Sequence, residues 1–257
     1  MLTTTQLTTT QNHGAVRVLA FNRPEALNAF NGPMFDAVTA EVLAATDDDT
    51  VKVLVITGEG RAFSAGMDLA DRPDQANPPE HGFGGMFEAL IEFPKPLLLA
   101  INGVGVGFGC TITGLADLVF MAESARLRCP FTALGLTAEA ASTVTFPAMM
   151  GPQAANWVLL SSQWLDAQTC QDYGMVFEVV TDELLMEQTL ERAQLLASKP
   201  LASLITTKEM LMAPRREALR EAHEIETAGL GSLMGGPANQ EAVAAFAERR
   251  EPDFSAF

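Results

Sequence analysis

From Leu97 to Ala116 the chain runs for twenty residues without a charge, and Gly103, Gly105, Gly107, Gly109 and Gly114 all fall within that run. A stretch so apolar must be buried, either in a bilayer or in a protein core. The glycines decide between the two. Standing at every second position from 103 to 109, they break a spanning helix and predict a buried strand over residues 97–101, a glycine turn and a buried helical segment. A core able to enclose that segment is available, because the chain has 257 residues of which 48% are hydrophobic. At this length a globular fold closes without disulfides or structural metal.

Charge narrows the partners. Sixteen Lys and Arg against 32 Asp and Glu leave a net charge of −16, a field that repels nucleic acid and anionic membrane surfaces. The cysteines, Cys110, Cys129 and Cys170, are odd in number and too far apart for a CxxC motif, which fits a reducing compartment. The first residues, Met1-Leu2-Thr3-Thr4-Thr5-Gln6, lack the basic and apolar regions of a leader, so the expected location is the cytoplasm, with no membrane anchor.

Strand-like and helix-like blocks alternate in the first half. Residues 16–21 (VRVLAF), 51–57 (VKVLVIT), 97–101 (LLLAI) and 118–122 (LVFMA) predict strands, and Asn31 to Ala45 predicts a helix capped by Asn31 with Pro33 in its first turn. Residues 71–85 (DRPDQANPPEHGFGG) read as an exposed loop, and the threonine-rich first ten residues as low complexity. After about Pro147 helices dominate, over 152–161, 166–173, 183–198, 201–212, 215–230 and 240–249. The expected organisation is an α/β core over residues 1–198 followed by a helical region over 199–257, whose apolar Leu211, Met212, Leu230, Leu233 and Met234 suit packing on another subunit. Trp157 and Trp164 read as core or interface aromatics.

Several common sites are excluded by their residues. The glycine run is GxGxGxG with Phe at position 108, not the GxGxxG of a dinucleotide fold, and neither a phosphate-loop motif nor G-x-S-x-G occurs. His223-Glu224-Ile225-Glu226-Thr227 fails HExxH at its last position, and only two further histidines exist, so no metal is expected. The chemistry falls to carboxylates, hydroxyls and backbone groups.

Four segments, in order, carry a resemblance over nearly the whole chain: 22–30 (NRPEALNAF), 53–69 (VLVITGEGRAFSAGMDL), 95–117 (KPLLLAINGVGVGFGCTITGLAD) and 130–146 (PFTALGLTAEAASTVTF). Together they resemble the crotonase, or enoyl-CoA hydratase/isomerase, superfamily. The resemblance implies a spiral of ββα units, C-terminal helices that build a homotrimer or a hexamer of two trimers, and an acyl-CoA thioester as substrate, with coenzyme A arriving on the substrate and no separate cofactor. It further implies that the N–H groups of Met67 and Phe108 form an oxyanion hole, and that Arg23, Ala26, Leu27, Ser64, Ala65, Asp68 and Leu69 border the coenzyme. The physical logic stands beside the family: glycines next to rigid backbone donors let a carbonyl oxygen approach them closely as it gains charge. Arg23 is the one cation among these residues, and an anionic ligand needs one locally.

The two glutamates that activate water in the hydratases of the family are replaced here by Thr111 and Phe131. Glu139, in Leu136-Thr137-Ala138-Glu139-Ala140-Ala141-Ser142, falls instead where peroxisomal-type Δ3,Δ2-enoyl-CoA isomerases carry a single catalytic glutamate. Independently of the family, the chain from Cys129 to Glu191 holds no Lys, Arg or His, so no sequence-local cation lowers the pKa of Glu139. The leading expectation is isomerisation of a 3-enoyl-CoA to a trans-2-enoyl-CoA through this one base. A hydratase or thioester hydrolase using Glu139 differently, and a non-catalytic acyl-CoA-binding subunit, stand as the alternatives. Asp68 and Asp117 read as turn and backbone-bonding residues, and Cys110 as a small buried side chain.

Overall fold

The structure is a computed structural model and describes residues 6–68 and 78–257. Strands β1 (Thr8–His13) and β2 (Val16–Phe21) form an antiparallel hairpin that closes at Gly14, where φ is +64°. Then follow α1 (Gly32–Asp47), β3 (Val53–Gly58), β4 (Ala62–Ser64), α2 (Gly82–Glu92), β5 (Leu97–Ile101), β6 (Val104–Val106), α3 (Phe108–Thr111), β7 (Leu118–Ala122), β8 (Arg126–Arg128) and α4 (Ser142–Ser161). The chain ends with β9 (Leu165–Asp166), α5 (Ala167–Asp172), β10 (Glu178–Val180), α6 (Leu185–Ala197), α7 (Leu201–Leu233) and α8 (Pro237–Glu248).

Two sheets organise these elements. A six-stranded sheet runs β1-β2-β3-β5-β7-β10, and a four-stranded one runs β4-β6-β8-β9. Successive ββα units place one strand in each sheet: β3 and β4 before α2, β5 and β6 before α3, β7 and β8 before α4. This is the expected α/β spiral. The central strands β3 and β5 are buried at every residue but Gly58, as strands covered on both faces must be. The uncharged run is therefore a strand of this core followed by β6, α3 and a 3-10 turn over Ile112–Leu115, and among the described residues no helix is long and apolar enough to cross a membrane.

Helix α1 starts as its sequence predicts: the Asn31 side chain accepts from the Met34 N–H at 3.0 Å, Pro33 sits in the first turn, and Met34, Phe35, Val38, Val42 and Ala45 face the core. Four expectations are corrected. Of the threonine-rich first ten residues, 1–5 lie outside the described residues, and Thr8–Thr10 are not low-complexity coil but the start of β1, paired with β2. Of the expected loop 71–85, residues 71–77 lie outside the described residues, and Gly82–Gly85 is helical because Asp36 accepts from the N–H groups of Glu80, His81 and Gly82. The region after Pro147 holds the two short strands β9 and β10. Finally, 201–212 and 215–230 are one helix, α7, which passes through Pro214 without ending.

A column of aromatic rings locks the elements behind the glycine turn. Phe30 meets Phe21 and Phe108 edge-on at 5.1 and 5.2 Å, Phe108 meets Phe83 at 5.5 Å, and the His223 imidazole of α7 stacks on Phe87 at 4.2 Å. Each pair adds about 0.5–1.5 kcal/mol beyond its burial. Trp157 and Trp164 are not in the core: both are about half exposed, and Trp164 lies under the Arg128 guanidinium at 5.5 Å.

Two buried lysines tie helices to the sheet. Lys95 donates to the carbonyls of Ala45 and Asp48 at the end of α1, and Lys208 of α7 donates to Asp117 at 2.7 Å and to the Lys95 carbonyl at 2.9 Å. Asp117 in turn accepts from the Leu97 N–H at the start of β5, the backbone role expected for it. Burial lowers the pKa of both lysines. Lys208→Met keeps the aliphatic stem but strands the Lys95 carbonyl and unpairs Asp117. We expect it to lower stability by about 2–3 kcal/mol, read as a lower urea midpoint with an unchanged m value.

Candidate active site

The first two segments of the site are sewn together by backbone. Leu27 and Asn28 both adopt left-handed conformations, φ 53° and 56°, and the fully buried Asn28 amide donates to the carbonyls of Glu59 and Ala62 while its oxygen accepts from the Arg23 N–H. The Ser64 hydroxyl donates to the Asn28 carbonyl and accepts from the Gly66 N–H. Beyond β4 the chain continues the pairing, with Ala65 N–H to Leu27 O at 2.9 Å, Phe30 N–H to Gly66 O at 2.7 Å and Asp68 N–H to Phe30 O at 2.8 Å. In this pattern Phe30 uses both its backbone groups and Met67 is left over: among the described residues its N–H donates to none.

Phe108 is the other left-over donor. It is the first residue of α3, where an N–H has no partner within the helix, and no described residue accepts from it. Glycines bring the two segments that carry these donors together. Gly66 has φ +79°, and a methyl carbon placed on it would stand 2.5 Å from the Val106 carbonyl oxygen and 3.5 Å from the Gly107 Cα. A methyl on Gly109 would stand 2.4 Å from the Ser64 carbonyl oxygen. Only glycine permits this approach, which packs the residue before Met67 directly against the turn before Phe108.

Glu139 comes to the same place from the loop before α4. Its Oε1 lies 3.6 Å from the position a methyl carbon on Gly107 would take, one residue before the Phe108 donor. No described residue donates a hydrogen bond to this carboxylate and no cation faces it. Loss of hydration, and second the charge of Glu226, push its pKa up to about 7. Glu139 is not a cap either: its carbonyl accepts from the Ser142 N–H, and its side chain is turned away from the helix axis toward Gly107.

Glu226 is the residue that sequence reasoning missed. From α7 it accepts from the N–H groups of Ala141 and Thr143 and from the Thr143 hydroxyl, at 2.6, 2.9 and 2.7 Å. One signal was available, since Glu226 continues the helical stripe of Leu219 and Ala222, where an apolar residue belongs.

The remaining candidates are placed as follows. Arg23 is not a free cation: it donates to Asp68 at 2.7 Å and to the Ala29 carbonyl at 3.1 Å, clamping the first segment to the second. Asp68 is an ion-pair partner of Arg23, and a phosphate would have to share the guanidinium with it. Ala65, Met67 and Asp68 border a cavity of about 440 Å³ that also meets Val106, Pro130 and Phe246. Ala26 and Leu27 form the 3-10 turn beside it in sequence, whereas Leu69 lies outside the described residues. Thr111 and Phe131 are buried, and Cys110 is a buried thiol whose pKa is raised by Cys129 and by burial, as its reading as a packing residue requires.

The family model for enoyl-CoA hydratase/isomerase matches residues 11–256. Among curated proteins, the 1,2-epoxyphenylacetyl-CoA isomerase of Escherichia coli K12 is 34% identical, over 93% of this chain and 95% of that protein. The enoyl-CoA delta isomerase 2 of Rattus norvegicus is 32% identical over 84% of this chain, which spans 56% of that longer protein. The crystal structure of an enoyl-CoA hydratase/isomerase from Pseudoalteromonas atlantica T6c superposes with a TM-score of 0.91, at 30% identity, over 97% of this chain and all of that one. The chain belongs to the enoyl-CoA hydratase/isomerase family of the crotonase superfamily. Its two-sheet spiral and C-terminal helices are the fold of that family, and its activity is of the acyl-CoA hydratase/isomerase kind.

A carboxyl whose pKa is raised on folding favours the native state while it is protonated and weakens it once ionised. The contribution of Glu139 is therefore complete below the unfolded value of 4.5 and is lost as pH climbs through about 7. Glu139→Gln, which cannot ionise, is expected to exceed the parent in stability by about 1–3 kcal/mol at pH 8 and to match it closely at pH 5. Urea unfolding at the two pH values measures this, and equal stabilities at both would show a solvated carboxylate.

Proposed function

We propose that the protein is an enoyl-CoA isomerase that moves a double bond from C3 to C2 of an acyl-CoA. One observation carries the reading: a single unbonded carboxylate, Glu139, stands beside the Gly107 turn, while Thr111 and Phe131 occupy the positions at which a hydratase would hold its water-activating glutamates. Hydration of a double bond asks for a positioned water and a group to ionise it. Moving the bond asks only for one base that can give back the proton it takes.

In this reading the thioester oxygen of a 3-enoyl-CoA accepts from the N–H groups of Met67 and Phe108. The Glu139 carboxylate removes a C2 proton, the C2–H pair becomes the C1–C2 π bond of a dienolate, and the charge collects on the bound oxygen. The Glu139 carboxylic acid then delivers the proton to C4 as the double bond settles between C2 and C3, which regenerates the carboxylate. A pKa near 7 suits both halves, since a base matched to the working pH takes and returns a proton with similar ease. Each backbone donor contributes on the order of 3 kcal/mol to holding the dienolate. Coenzyme A is part of the substrate, so the reaction asks for no resident cofactor. Ala65, Asp68 and Arg23 border its path, and the exposed apolar residues Met210, Leu211, Leu233, Met234 and Phe246 of α7, α8 and the turn between them suit assembly into a homotrimer or hexamer.

The test is spectroscopic. Absorbance of the conjugated thioester is expected to rise with a trans-3-enoyl-CoA and to stay unchanged with a trans-2-enoyl-CoA, whereas loss of the second signal would mean hydration. The rate is expected to climb with pH to a plateau, with its midpoint near the pKa of Glu139, because the base works ionised. Glu139→Gln should reduce turnover by about 10³-fold or more while leaving affinity for a CoA thioester within about twofold. Retained turnover in that variant would remove Glu139 from its role.

A further inference from the structure

Helix α4 begins at an unusual cap. Ala141 stands at the cap position in a left-handed conformation, φ 55°, and has no side chain to accept from the first turn. Ala140 before it is left-handed as well, φ 58°, and both residues directly follow Glu139. Alanine in that region loses about 1–2 kcal/mol per residue, so two in succession hold their shape only when something outside the turn fixes them. Glu226 does so from a point 85 residues along the chain from Ala141, taking up the Ala141 and Thr143 N–H groups and the Thr143 hydroxyl. It is 4% exposed and lies on the face of α7 that packs against α4.

We propose that Glu226 is the positioning residue of the site: from α7 it clamps the turn that carries Glu139 and sets an anion, where a cation would quench it, behind the base. The inference deepens the isomerase reading and rests on it for its catalytic consequence. A capping residue of the ordinary kind, Ser or Asn at position 141, would satisfy the Thr143 N–H without charge but would leave the N–H of residue 141 unpaired. The carboxylate adds a like charge near the base, and a like charge makes a neighbouring carboxyl harder to ionise. The other groups around Glu139 offer nothing to oppose this. Helix α3 contributes only the un-ionised Cys110 thiol, α4 carries no charged residue, Arg23 and Asp68 neutralise each other, and His223, one turn before Glu226, stacks on Phe87 with its pKa lowered by burial.

The experiment follows the two carboxyl carbons directly, by NMR titration of the full-length protein labelled at glutamate Cδ, with each resonance assigned by its loss in the corresponding Gln variant. In Glu226→Gln the midpoint of Glu139 is expected to fall from near 7 by about one pH unit. An unmoved midpoint would overturn the proposal. Should that variant fail to fold, coupling between sites is reciprocal, and the midpoint of Glu226 must fall in Glu139→Gln. If it does not, the proposal fails. Glu226→Asp keeps the charge but draws the acceptor back, and is expected to leave the Glu139 midpoint in place while kcat drops about tenfold at unchanged KM. Full kcat there would dispose of the clamp. A parent protein that turns over no enoyl-CoA would sink the isomerase reading alone, because the titrations decide the pairing of Glu139 and Glu226 without any substrate.

Discussion

At Gly66, Gly103, Gly105 and Gly109 an added methyl carbon would stand between 2.2 and 2.6 Å from a neighbouring atom, and at each of the four a backbone carbonyl oxygen is among the atoms struck. The segment through β4 and the segment through β6 are thus packed backbone on backbone, with no side chain between them. That approach permits the parallel pairing of β4 with β6, the turn at Gly107 and the start of α3 directly behind it. It also produces the two free donors. Met67 and Phe108 keep their N–H groups unpaired because the pairing around each is completed by its neighbours. Bound backbone of this kind does not reorganise when charge develops in front of it, which is the condition for strong electrostatic stabilisation.

Legibility in the sequence followed burial. Strands β2, β3, β5 and β7 were readable because they lie in the interior of a largely parallel sheet and carry mostly apolar runs. Strands β4, β6 and β8 were not, since three-residue pieces such as Val104–Val106 and Arg126–Arg128 are defined by backbone pairing and leave no side-chain signature. The first helix announced itself by Asn31 and Pro33, while Pro214 announced a break that packing of α7 along the core prevented. At the site, the glycine pattern and the absence of cations around Glu139 pointed to its chemistry. The ion pair of Arg23 with Asp68 and the clamp from Glu226 join residues distant in sequence, and only the fold brings them together.

Charge is distributed around the site with an evident economy. The protein carries a net −16, yet the ligand of its family is an anion. Where the first two segments meet, the cation Arg23 is matched by the anion Asp68. Around Glu139 the balance is the reverse. Glu139 and Glu226 approach without a counter-ion, and the three hydrogen bonds that stabilise one of them are denied to the other. Burial raises the pKa of both, but bonding separates the two identical side chains: Glu226 is held as a structural acceptor and Glu139 is left without a donor.

The uncharged polar groups at the seam between α3 and α4 extend the same logic. Thr111, Ser142 and Thr145 are fully buried, and their hydroxyls have no hydrogen-bond partner among the described residues. Each such group weakens the fold by about 1–3 kcal/mol, so the packing here is not optimised for stability. It does avoid charge. A lysine or arginine at this seam would draw the Glu139 pKa back down and leave a weak base, and a second carboxylate in place of Thr111 would add a competitor for the proton. Hydroxyls do neither. They fill the seam with groups that neither neutralise nor compete with Glu139, and so leave Glu226 as the one charge to which its pKa responds.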